Sequence, residues 1–150
     1  MKRQTIQIAL ALILGAALGL AGYTFLYAKG YSYLSNNPAA CANCHVMNQY
    51  YAGWMKGPHR SVATCNDCHT PHDLFGKYTT KAANGFAHSL AFTLGGFPDS
   101  IEIKQRSRRV TEGACRNCHA AIVTEIEGAD AHRSSQELSC IRCHAGAGHM

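Results

Sequence analysis

Four short segments of this chain share one pattern, two cysteines three positions apart with a histidine directly after: CANCH (Cys41–His45), CNDCH (Cys65–His69), CRNCH (Cys115–His119) and CIRCH (Cys140–His144). All 8 cysteines fall into these pairs. Cys-x-x-Cys pairs alone are open to three readings: Cys₄ zinc sites, redox disulfides or thioether attachment of c-type haem. The histidine separates them. With 9 histidines in 150 residues, four such placements arise by chance about once in a hundred thousand, and only haem attachment requires them. Two thiols at this spacing add to the two vinyl groups of one porphyrin, and the next residue brings an imidazole under the iron. Zinc and disulfides remain the alternatives.

Four covalent haems constrain the fold more than any other feature. Outside the N-terminal segment roughly 120 residues remain, too few for a large apolar core of their own. The expectation is a mainly α chain with much irregular structure, in which short helices and loops wrap porphyrin faces and no strand forms. Each motif should open or sit in a short helix. TTKAANGFAHSLAF (79–92) and AAIVTEIEG (120–128) read as helices, and Pro71, Pro98 and Gly95–Gly96 punctuate loops.

The N-terminus begins MKRQ, and Ile6–Ala28 then carries no charge, about the 20 residues that a membrane-spanning helix needs. A cleaved signal peptide is the alternative, since GLA ending at Ala21 resembles a processing site. The apolar run continues through GYTFLYA, longer than a signal core, so residues 1–29 are read as a retained signal-anchor. Lys2 and Arg3 would hold its start in the cytoplasm. Haem attachment of this kind belongs to the outer face of a bacterial inner membrane, which places residues 30–150 in the periplasm. The formal charge of +5 is offset by haem propionates, and with export this argues against a nucleic-acid partner.

The motifs begin at Cys41, Cys65, Cys115 and Cys140, two pairs with near-equal internal spacing. HRSVATC from His59 precedes the second motif and HRSSQELSC from His132 the fourth; His72 follows the second in CHTPH and His149 the fourth in CHAGAGH. The chain reads as a duplicated dihaem unit, about 41–72 and 115–149. The motif histidines His69, His119 and His144 are the proximal iron ligands. His59, His72, His132 and His149 are the distal candidates, with His88, outside the repeat, in reserve. The first motif departs from the pattern: it runs on to Met47, where the second half has Ala121. A thioether is a known haem ligand that raises the iron's potential; packing against the porphyrin is the plainer reading.

A basic N-terminus, one anchor helix, four motifs and a first motif extended to CHVM resemble the NapC/NirT family of membrane quinol dehydrogenases, over nearly the whole chain. The short length and KYTTKAANGFAHSLAFTLG (Lys77–Gly95) resemble its branch of nitrite reductase small subunits, while the histidine of CHTPH is shared with the NapC branch. The resemblance implies that Met47 rather than His45 ligates the first iron, that the other face of that haem is open, and that menaquinol is oxidised there. It places Lys77 near the quinol and Asn84 where the family has an acidic residue. Asparagine can hydrogen-bond a quinol hydroxyl but cannot take its proton at neutral pH, which leaves Asp73 or water as acceptor. A solvated helix face is the plainer reading of Lys77 and Lys81.

The function implied is a single-pass tetrahaem quinol dehydrogenase subunit, without a terminal-substrate reduction site of its own. Its partner would be the periplasmic multihaem catalytic subunit of a nitrite reductase. Transfer to nitrate reductase or another terminal reductase, or tethered electron carriage without quinol chemistry, are the alternatives. GAALG (Gly15–Gly19) puts small residues one turn apart in the anchor, a spacing suited to a self-dimer. The apolar FAHSLAFTLGGF (Phe86–Phe97) would rest on the bilayer surface or pack against haem.

Overall fold

A computed structural model describes residues 2–98, 100–130 and 138–149. They form seven α-helices and several 3₁₀ turns, with no strand among the described residues. The chain divides into two compact units, Met1–Ser32 and Tyr33–Met150.

The first unit is helix α1, Lys2–Tyr27. With no proline and no charge after Arg3, nothing interrupts its hydrogen-bond ladder, and none of its side chains is buried. Its length and its mean hydropathy of 2.0 suffice to cross a membrane. The helix stops at Lys29, which adopts the left-handed φ of 52°. Gly30 follows with the Phe25 ring so close that a Cβ would lie 2.4 Å from it, so a larger residue there would displace that ring.

In the second unit, 3₁₀ turns at Pro38–Asn43 and His45–Met47 carry the first motif. Asn37 caps the first turn by accepting from the Ala39 amide at 3.0 Å, with Pro38 in the first position, where its missing N–H costs nothing. Helix α2 (Asn48–Lys56) follows, and Trp54 Nε1 donates to the Ala63 carbonyl at 3.0 Å. Helix α3 (Cys65–His69) is the second motif itself. Asp67 accepts from the Thr64 amide and hydroxyl, both at 2.7 Å, closing its N-terminus.

Helix α4 (Leu74–Leu94) is the longest in this unit. Asp73 caps it by accepting from the Gly76 amide at 2.5 Å, and Gly95 and Gly96, at φ 74° and 78°, end it. The third motif closes helix α5 (Gln105–Cys118) rather than opening a helix. Helix α6 (Ala120–Asp130) comes next, and the fourth motif forms helix α7 (Cys140–Cys143). Helix α3 packs on α5, and α5 on both α6 and α7. Among the described residues Ala114 is the only buried hydrophobic side chain; the buried polar ones are Thr70, Thr80 and Lys81.

Candidate haem sites

No disulfide joins any two of the eight cysteines. Among the described residues no three Cys, His, Asp or Glu side chains converge as a zinc site requires. Instead the motifs adjoin in sequence order. Cys41 and Cys65 share a hydrogen bond that pushes Cys65 up and draws Cys41 down to about 7. Burial raises the Cys68 thiol, which also feels Cys118. Burial raises Cys115 beside Cys68, and raises Cys140, which feels Cys115 in turn. First and second, second and third, third and fourth attachment points are therefore neighbours.

The histidines pair across the two halves. The His69 and His149 rings have centroids 5.9 Å apart with planes at 28°. His59 and His119 stand 6.2 Å apart at 86°. Two imidazoles bound to opposite faces of one metal, each with a metal–nitrogen bond of about 2 Å, put their centroids about 6 Å apart. That spacing fits axial ligation, in which the angle between planes is free. Backbone carbonyls orient both distal rings. His59 Nδ1 donates to Ala147 O at 3.0 Å, and His149 Nδ1 to Tyr50 O at 2.9 Å. A ring that donates from Nδ1 leaves the Nε2 lone pair for a metal. Burial, then the neighbouring His149, lowers the pKa of His69 and keeps it in the neutral, ligating form. These residues fit c-type haem.

The other candidates are placed differently. His72 turns its Nε2 to the Asp67 carbonyl at 3.1 Å, within its own motif. His88 Nδ1 shares a 2.8 Å hydrogen bond with the Tyr33 hydroxyl. Burial, then Cys44 and Cys41, raise the Tyr33 pKa to about 12, so the phenol keeps its proton. His132 lies outside the described residues. In the first motif His45 is exposed whereas Met47 is half-buried, and His144 is exposed. Lys77 and Asn84 are half-buried on α4, and Lys77 helps hold the Asp67 carboxyl below its usual range.

Lys81 is not on a solvated face. It is 5% exposed, and its ammonium donates to Ser35 O at 2.8 Å and Asn36 Oδ1 at 2.9 Å. Glu112 also escaped sequence reasoning. Its carboxylate accepts from the Ser139 hydroxyl, the Cys140 amide at 2.8 Å and the Ile141 amide at 3.2 Å, joining the third motif's helix to the fourth's. Both residues meet partners far away in the chain, so no local pattern marks them.

The family model described as the NapC/NirT cytochrome c family, N-terminal region, matches residues 1–150. The cytochrome c-type protein NrfH of Wolinella succinogenes is 39% identical, over 91% of this chain and 82% of that protein. The cytochrome c nitrite reductase subunit NrfH of Nitratidesulfovibrio vulgaris is 32% identical, over 91% and 80%. Among solved structures, a chain from the crystal structure of the cytochrome c nitrite reductase NrfHA complex bound to the HQNO inhibitor aligns with a TM-score of 0.65. That alignment has 28% identity and covers 93% of this chain and 90% of the other.

Proposed function

The chain belongs to the NapC/NirT cytochrome c family, and on that premise we propose that it is a membrane-anchored tetrahaem quinol dehydrogenase. It takes electrons from menaquinol and passes them to a periplasmic multihaem nitrite reductase. The anchor helix α1 holds it to the bacterial inner membrane with the second unit in the periplasm. The observation that carries this reading is the pairing of His69 with His149 and of His59 with His119 at axial spacing, in a chain similar to a cytochrome c nitrite reductase subunit and to a chain of the NrfHA complex.

Held by its two thioethers, each haem supplies a one-electron iron couple. Cys41 and Cys44, Cys65 and Cys68, Cys115 and Cys118, and Cys140 and Cys143 hold the four in an order that follows the chain. His69 with His149 and His119 with His59 would hold the second and third irons; His144 would serve the fourth, with His72 and His132 as distal candidates. Neutral imidazoles on both sides keep their places through the redox change, which suits a relay. Met47 would hold the first iron, and menaquinol would bind beside it. Lys77 donates a hydrogen bond to a quinol oxygen and Asn84 a second, while Asp73 and water take the two protons that leave with the two electrons.

The test is nitrite reduction driven by a menaquinol analogue in membranes that contain this chain and the catalytic subunit. Activity that requires both supports the reading. Activity with a soluble reductant but none with the quinol would leave a tethered electron carrier instead.

A further inference from the structure

The deepest charge in the second unit lies beside the first motif. Besides Ser35 and Asn36, the Lys81 ammonium sits over the Tyr78 ring at 5.7 Å. Asn66, inside the second motif, brings its amide to the same two acceptors, Ser35 O at 3.2 Å and Asn36 Oδ1 at 3.3 Å. Three elements thus meet at Ser35–Asn36: helix α4 through Lys81, the second motif through Asn66, and the segment that leads into Cys41. No carboxylate answers the ammonium among the described residues. Burial and Lys77 lower its pKa while Cys41 pulls the other way, so Cys41 lies within reach of its field. An ammonium has three donors and no acceptor, which rules Lys81 out as a base for quinol protons.

We propose that Lys81 is a positioning residue for the haem of the first motif. It pins the entry segment against α4 while Asn66 holds the same segment to the second motif, so that the first two haems keep a fixed separation. Its uncompensated charge also raises the midpoint potential of the first. The electrostatic step is simple. Ferric haem gains one electron to become ferrous, which removes one positive charge from the iron-porphyrin. A fixed cation at the attachment edge disfavours the ferric form, and a poorly solvated one is weakly screened. The role needs haem attachment only and stands whether or not menaquinol is the donor.

The test uses the full haem-loaded chain and three variants, Lys81→Met, Lys81→Gln and Lys81→Arg, with haem per chain and a spectroscopically followed redox titration as readouts. The first haem is assigned by its absence in a Cys41→Ala, Cys44→Ala chain. Met and Gln should make that haem alone about tenfold harder to reduce, 59 mV for a one-electron couple, and Arg should restore it. If Lys81→Met does not accumulate, Lys81→Gln carries the test, because it keeps a donor for Ser35 and Asn36 without the charge. Unchanged midpoints in Lys81→Gln, or an equal shift of all four haems, would overturn the proposal.

Discussion

His69 and His149 face each other with ring centres 5.9 Å apart, one carried by the second motif and the other close to the chain's last residue. His59 and His119 reciprocate: a histidine of the first half reaches a motif of the second. On the proposed reading, each half completes the other's site. Two metal-bridged imidazole pairs would tie α3 to the C-terminal segment and the turn before α3 to the end of α5, because ligation energy then becomes folding energy.

His149→Ala should convert the second haem alone from low-spin to high-spin, and His59→Ala should do the same to the third alone. Low-temperature electron paramagnetic resonance on the oxidised protein separates them, with one low-spin signal lost per variant. Loss of the same signal in both variants would break the assignment of pairs.

Met47 occurs at a position where the second half has Ala121, so Met47→Ala should disturb one haem and leave three spectra intact. In the unaltered protein that haem should be at least partly high-spin. Histidine on both sides of all four irons, read by resonance, would remove both Met47 and the quinol site from the account.

Lys77→Ala should leave every haem spectrum unchanged while raising the apparent KM for a menaquinol analogue about tenfold, the effect of losing one charge-assisted hydrogen bond of about 1.5 kcal/mol. Asn84→Asp should be tolerated and should raise the turnover where proton removal is limiting. A Lys77→Ala enzyme with an unaltered KM would place the quinol elsewhere.

Much of this was legible in the chain itself. The charge-free run after Arg3 announced α1, and the glycines at 95 and 96 announced the end of α4. The duplication nominated His59, His72, His132 and His149 because their flanks repeat. It did not say which irons they serve, since that depends on how α3 packs against α5, a contact between residues far apart in the chain. The third motif's place at the end of α5 was hidden for another reason. QRSRRVTEGACRNC is so basic and polar that its apolar face shrinks to little more than Val110 and the buried Ala114. Lys81 misled most, because a lysine in an exposed-looking helical pattern gives no sign that Ser35 and Asn36 will come to meet it.

Glu112 offers the sharpest pH signature. Burial alone would raise its carboxyl, but the hydrogen bonds from Ser139, Cys140 and Ile141 outweigh burial and hold it below its ordinary 4.5. A carboxyl depressed in the folded state stabilises the fold above its unfolded pKa, and that contribution disappears as pH falls through the folded value. Glu112→Gln keeps one acceptor but loses the charge, and the site is half-exposed, so screening limits the cost to about 1 kcal/mol at neutral pH. Urea unfolding of the two haem-loaded proteins should therefore differ at pH 7, converge below about pH 4.5, and coincide once the carboxyl of Glu112 is protonated in both states. Acid release of histidine ligands affects both proteins alike and cancels in the comparison. A difference that stays constant down to pH 3 would mean that Glu112 holds the fourth motif by shape, and that its charge contributes nothing to the link between α5 and α7.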